Sequence, residues 1–271
     1  MKNKLSVAII TYNEERMIKR CLESVKWADE IIVVDSGSTD STVKTAKQYG
    51  AKVVRKKWMG FSKQKNFALS LAKNKWILSL DGDELVSPEL AREIRETIVK
   101  QGAFYVYRIP RKNFYYGGRW LKHGSIYPDA AIRLIQKNRG AFRDVLVHEE
   151  IDSDSPAGIL KHDIEHYSKP GIGDHINALS RYTTLDAQEA YSTGRRATGY
   201  SVLVKPLFFF IKRYIFKAGF LDGFEGFLYH IMSAWYLFIY ELKLLELERP
   251  LSGYKPWGSI FKRSLRVKKQ H

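Results

Sequence analysis

A single cysteine, Cys21, in 271 residues leaves no disulfide framework and no Cys-based zinc cluster. Acidic residues are in deficit. Asp and Glu number 29 against 45 Lys and Arg, a formal net charge of +16, and such an excess calls for an anionic partner. Neither G-x-G-x-x-G nor the Walker A pattern occurs, which removes the main support for a dinucleotide-dependent dehydrogenase or a P-loop NTPase. The apolar stretch Leu5 to Ile10 is too short for a secretory h-region, and no small-residue cleavage site follows it. The protein is therefore expected to stay in the compartment where it is made. Long apolar runs are missing too: the longest uncharged stretch of the C-terminal third, Gly226 to Tyr240, is 15 residues, short of the roughly 20 that a spanning helix needs.

What is present suits a packed α/β domain, with 45% hydrophobic and 13% aromatic residues. Leu5 to Ile10 and Glu30 to Val34 are nearly continuous, β-branched apolar runs, the pattern of strands buried on both faces of a parallel sheet. Between them, Met17, Ile18, Cys21, Leu22 and Val25 recur at helical spacing, predicting a helix over Glu14 to Val25 with Cys21 as a small core residue. The alternation continues with a helix over Thr39 to Tyr49, a strand over Ala51 to Arg55, a helix over Phe61 to Ala72 and a strand over Trp76 to Leu80. This predicts a doubly wound, Rossmann-like sheet with helices on both faces. Ser87-Pro88 opens a further helix as N-cap and N1 proline. From Ala103 to about His166, short strands and loops follow, and after Gly173 the chain turns helical.

From Val202 to Tyr240 aromatic clusters alternate with charges such as Lys212, Arg213 and Lys217. This pattern predicts amphipathic helices lying in a membrane interface, with a helical hairpin packed on the domain or on a second subunit as the alternative. The domain division expected is a catalytic domain over 1–170, itself a nucleotide-sugar half (1–100) and an acceptor half (101–170), followed by a helical, basic, membrane-associating region over 171–271.

Polar clusters close the predicted strands: Thr11-Tyr12-Asn13-Glu14, Asp35-Ser36-Gly37-Ser38-Thr39-Asp40 and Asp81-Gly82-Asp83. Ligands of open α/β sheets bind beyond the carboxyl ends of the strands, so three such clusters point to a site, although each alone would serve as a turn or a helix cap. Asp81 and Asp83 flank a glycine that permits a sharp turn. Hard cations such as Mg²⁺ and Mn²⁺ take one or two carboxylates together with phosphate oxygens and water, which makes this the outline of a nucleotide-diphosphate metal site. The histidines His123, His162, His166, His175 and His230 show no metal-site spacing and are expected to be solvated or hydrogen-bonded in the core.

Val7 to Glu14, Ile31 to Asp40 and Asp81-Gly82-Asp83 together resemble the nucleotide-binding half of family 2 glycosyltransferases of the GT-A fold. Trp58, Gly60-Phe61, Gln64-Lys65-Asn66, Tyr127-Pro128-Asp129, Arg133-Leu134, Val147-His148-Glu149 and Phe220-Leu221-Asp222-Gly223 extend the resemblance to bacterial lipopolysaccharide-core β-glucosyltransferases acting on inner-core heptose. The resemblance implies that Thr11, Tyr12, Asn13, Glu14, Ser38, Lys65, Asn66 and Gly82 border the nucleotide sugar. It implies further that Asp35 bonds the base, Asp81 meets the ribose side, and Asp83 holds a divalent metal, Mg²⁺ or Mn²⁺. Glu149 is expected as the general base, with Asp129 as second candidate. His148 is expected to orient Glu149 or to ligate the metal. Arg133 could pair with the diphosphate or with a strand neighbour.

The function expected is metal-assisted, inverting transfer of a hexose, glucose by the resemblance, from a UDP-sugar to a lipid-linked core glycan at the cytoplasmic face of a bacterial inner membrane. A polyprenyl-linked glycan, an exopolysaccharide precursor or a protein are alternative acceptors. A basic nucleic-acid-binding protein would also account for the charge, but no helix-turn-helix, RNP or zinc signature is present, and no nucleic-acid partner is expected. From Lys205 onward, twelve Lys and Arg face five Asp and Glu, an excess suited to anionic headgroups.

Overall fold

The computed structural model describes residues 3–100, 103–145 and 150–249. In chain order the elements are β1 (Leu5–Thr11), α1 (Ile18–Val25), β2 (Glu30–Asp35), α2 (Thr42–Gln48), β3 (Lys52–Arg55), α3 (Phe61–Ser70), β4 (Trp76–Asp81), β5 (Glu84–Val86), α4 (Pro88–Lys100) and β6 (Val106–Tyr115). There follow β7 (Arg119–Trp120), β8 (Asp129–Gln136), β9 (Ala141–Phe142), β10 (Ile151–Asp152), β11 (Ala157–Ile159), β12 (Ile164–Lys169), α5 (Ile172–Ser192), α6 (Gly199–Phe210) and α7 (Gly223–Glu248). The described residues form two compact units, one within 3–114 and 127–168, the other within 115–126 and 169–249. The segment 115–126, expected in the catalytic domain, thus groups with the C-terminal helices.

In the first unit the strands run β3-β2-β1-β4-β8-β6-β12-β5. The first four are mutually parallel, whereas β8 is antiparallel to β4 and to β6, and β5 is antiparallel to β12. Every residue of β1 is buried, because successive side chains of a parallel strand meet helices on opposite faces. Leu5, Val7 and Ile9 join Ile18, Cys21, Leu22 and Val25 of α1 and Leu90, Ile94 and Ile98 of α4. Ala8 and Ile10 face the other way, with Ala68 and Phe61 of α3. Cys21 is a core residue, as its place on the apolar face implies, and Ser87 caps α4 through a bond from the Leu90 N–H (3.2 Å).

The first helix is shorter than its apolar spacing predicts. Asn13 adopts a left-handed backbone (φ 54°), and the N–H groups of Glu14 and Glu15 donate to Thr42 Oγ1 and Asp40 instead of entering a helix. Residues 14–17 therefore form a turn, and helix begins only at Ile18.

In the second unit α5 and α6 both pack on α7. A capping box between Thr198 and Ser201 starts α6. Fully buried Glu241 of α7 takes bonds from Arg195 and Ser201, with Lys205 3.5 Å away. Below α6 the chain continues as a π-helical turn, Ile211–Phe216, and a 3₁₀ turn, Gly219–Asp222. None of the described helices is long and apolar enough to cross a membrane.

His230 is fully buried at this bend, and burial followed by Arg213 pushes its pKa down to about 4, so the ring is neutral. A Cβ on Gly219 would lie 2.4 Å from His230 Nε2. Gly219→Ala should therefore destabilise the protein by about 1–3 kcal/mol through overpacking. Urea unfolding measures this, and adding His230→Ala should recover part of the loss; a strictly additive double variant would show that the two sites do not meet.

Candidate active site

The order β3-β2-β1-β4 reverses direction at β1, the switch point where open α/β sheets bind ligands. Register fixes what gathers there. Thr11 pairs with Asp35 of β2, and Ile10 with Asp81 of β4, so the three polar clusters read from the sequence emerge side by side.

Two of them are sewn into one surface. The Asn13 N–H donates to Ser38 Oγ (2.9 Å), the Thr39 N–H to Asn13 Oδ1 (2.9 Å), the Glu14 N–H to Thr42 Oγ1 (2.8 Å) and the Ser41 N–H to a Glu15 carboxylate oxygen (3.2 Å). Asn13 and Ser38 thus shape the site by holding its loops. Asp35, expected at the base, is fully buried and accepts from the Gly37 and Ser38 N–H groups, which is the turn reading of that cluster. Tyr12 is 56% exposed and open to a ligand. Gly82 allows close approach, since a Cβ there would come within 3.1 Å of both Glu14 Cγ and Thr11 Oγ1.

Asp81 is the hub of the charges. Its Oδ2 lies 3.0 Å from Lys65 Nζ and 3.5 Å from Arg133 Nη2. Burial opposes its ionisation, but Lys65 and then Arg133 hold the carboxyl well below the usual carboxylate range. Oδ1 is buried and has no hydrogen-bond partner among the described residues, and neither has Thr11 Oγ1. Arg133 also reaches Glu84 (2.9 Å), and Arg111 bridges Glu84 (3.2 Å) to Asp129 (2.6 Å). Glu84 is itself fully buried and accepts the Asp81 N–H (2.9 Å). Arg133 thus has carboxylate partners in Asp81 of the adjacent β4 and Glu84 of β5.

Two of the expected site residues are engaged by protein partners. Asn66, placed beside the nucleotide by its motif, donates from Nδ2 to the Phe142 carbonyl and accepts the Phe142 N–H, both at 2.8 Å; its amide fastens β9 to α3. Asp129, the second candidate base, accepts from Arg111 and Asn113. Against the opposing effect of burial, Arg111 leads the groups that lower its pKa, and a carboxylate so held is a weak proton acceptor. His148 and Glu149 lie outside the described residues.

His166 is one of the histidines whose mutual spacing suggested no metal site. It enters from β12, whose register sets it opposite Glu84, and its Nε2 stands 3.3 Å from Asp83 Oδ2. Its Nδ1 contacts Asn113 Oδ1 at 2.8 Å. A carbonyl oxygen only accepts, so Nδ1 carries a hydrogen, and Nε2 is the ring atom that faces the Asp83 carboxylate.

Glu14 adds to this excess of electron donors: burial first, then Asp83, Asp81 and Asp40, push its carboxyl up to about 8. The facing Asp83 carboxylate and His166 ring nitrogen, the orphaned Asp81 oxygen and a carboxyl that resists ionisation are donor groups that would suit a small hard cation. Among the described residues no three His, Cys, Asp or Glu side chains are grouped to hold a metal unaided, so phosphate oxygens and water would have to complete the shell of any metal bound here.

The raised Glu14 carboxyl has a thermodynamic consequence. The folded state retains a proton that the unfolded chain releases, so metal-free stability falls as pH rises from the ordinary carboxylate range toward about 8. Glu14→Gln should flatten that fall. Urea unfolding in chelator across this range tests it; an unchanged slope would assign the pH dependence to another group.

A family model described as glycosyl transferase family 2 matches residues 6–167. An uncharacterized glycosyltransferase of Rickettsia typhi is 34% identical to this chain over 257 residues, covering 90% of this chain and 87% of that protein. The lipopolysaccharide core biosynthesis glycosyltransferase LpsC of Rhizobium meliloti is 26% identical, over 90% and 93% of the two. Among solved structures, the mannosyltransferase PcManGT from Pyrobaculum calidifontis, in complex with GDP-Man and Mn²⁺, shares the fold at a TM-score of 0.54 and 15% identity, covering 90% of this chain and 88% of that chain.

Proposed function

The chain belongs to glycosyl transferase family 2 and has a GT-A-like fold, and from that premise we propose that it moves glucose from a UDP-sugar to an inner-core heptose of a membrane-borne lipopolysaccharide precursor, with inversion. The observation that carries the donor reading is the charge arrangement at the β1–β4 switch point: ionised Asp81, the Asp83–His166 pair and the loops that frame them. The acceptor class rests on the motif resemblance and on the similarity to LpsC.

Each residue's work follows from its surroundings. Lys65 and Arg133 keep Asp81 an anion, so its unpartnered Oδ1 can accept a donor hydroxyl, with Thr11 Oγ1 beside it. Asp83 and His166 would hold Mg²⁺ or Mn²⁺ against the diphosphate. Such a cation supplies charge neutralisation to the departing nucleoside diphosphate. The acceptor hydroxyl must lose a proton as it attacks the anomeric carbon. With Asp129 committed to Arg111, Glu149 is the carboxylate we assign to take that proton. The site of action is the cytoplasmic face of the inner membrane, where both donor and lipid acceptor are within reach.

A donor screen tests the reading. UDP-, GDP- and TDP-sugars are supplied with Mg²⁺ or Mn²⁺ and purified core lipid, and nucleotide release is scored. The expected result is UDP release that depends on both lipid and metal. Preferential GDP release, or release indifferent to the lipid, would overturn donor or acceptor respectively.

A further inference from the structure

The bend between α6 and α7 exposes large apolar side chains. Phe216 is 75% exposed, Phe224 72%, Leu221 58%, Ile215 52% and Phe220 49%. Large aromatic groups gathered this way mark an interaction surface. The bend is also firmly held. Asp222 accepts the N–H groups of Lys122 (2.9 Å) and His123 (2.8 Å) and pairs with His123 Nδ1 (2.6 Å), while the Gly124 N–H donates to the Lys217 carbonyl (2.8 Å). Gly226 lets α7 lie against the turn, since a Cβ there would be 2.5 Å from the Gly219 carbonyl oxygen. Phe210 and Tyr214 stack (5.1 Å) and both meet Phe227 edge-on. The exposed rings are thus presented on a braced turn, whose backbone has little ordering entropy left to lose when they are covered.

Charge selects what covers them. Lys212 and Lys217 are exposed within the same turn, and Arg213 lies over the Phe209 ring (4.8 Å); the nearby acids are Glu225 and the buried Asp222. Two copies meeting through this face would bring these cations together. An anionic bilayer presents the opposite charge, and its interface accepts phenyl rings below snorkelling lysines. With no described helix long and apolar enough to span, the contact these helices offer is with one leaflet.

We propose that the α6–α7 bend is an insertion wedge, driving Phe216, Phe220 and Phe224 into the anionic leaflet while Lys212, Arg213 and Lys217 stay at the headgroups. This rests on the reading that the acceptor is membrane-borne, and it assigns membrane attachment to one turn instead of to the helical region at large.

Flotation of the full chain with phosphatidylethanolamine–phosphatidylglycerol vesicles tests it. The variant combining Phe216→Ser, Phe220→Ser and Phe224→Ser should bind roughly tenfold or more weakly, with unchanged melting temperature and unchanged UDP release from the donor. Phe216→Trp should show blue-shifted emission, quenched by brominated acyl chains. Full-strength binding by the triple serine variant, or Phe216→Trp emission that ignores brominated lipid, overturns the wedge alone. A wild type that ignores vesicles overturns the wedge and the membrane-borne acceptor together, and a wild-type dimer that the triple variant dissociates would give the face to a second copy.

Discussion

Asp83→Ala is expected to lower metal-dependent donor turnover roughly a hundred- to thousandfold, the range seen when one preorganised stabiliser of developing charge is removed. Its side chain is 22% exposed, and the ion-pair contact it makes is with His166, so the melting temperature should move little. Asp83→Asn keeps the shape but loses the charge, and should be nearly as inactive. His166→Ala should raise the metal concentration needed for half-maximal turnover. UDP release titrated against Mn²⁺ measures all three, and full activity in Asp83→Ala would move the diphosphate site elsewhere.

Glu84→Ala should produce the largest stability loss of any single change at the site. Glu84 is fully buried and takes bonds from Arg111, Arg133 and the Asp81 N–H. Deleting one partner of a buried charge network leaves the others uncompensated, at a cost of about 3–5 kcal/mol. For a chain of this size each kcal/mol is worth roughly 2–4 °C of melting temperature. Glu84→Gln keeps an acceptor for the Asp81 N–H and should lose less. Thermal unfolding followed by circular dichroism decides it; equal melting temperatures for wild type and Glu84→Ala would show that the arginines find other partners.

The parallel half of the sheet was legible because its signal is local. Continuous apolar runs with helical spacing between them specify β1 to β4 and their helices, and the polar strand ends mark the site. Local pattern is ambiguous where a side chain has two uses. Asn66 sits in a motif suggesting a ligand contact yet spends its amide on Phe142, and Glu14 continues a helical spacing yet belongs to a turn. Arg111, Arg133 and His166 could not be assigned from sequence, because their partners lie 27 and 49 residues away for the arginines on Glu84 and on another strand for His166. Only antiparallel register brings them together. A third carboxylate directly after Asp83 was the available hint that cations had to arrive from elsewhere.

That long-range pairing bears on how the protein comes into being. A ribosome delivers Glu14, Asp81, Asp83 and Glu84 well before Arg111, Arg133 and His166, so the emerging first hundred residues carry a knot of carboxylates with Lys65 as the cation already in place to meet them. The parallel half of the sheet therefore draws charge partners from residues made after it. It acquires its electrostatic balance late in synthesis, when the antiparallel strands close beside it.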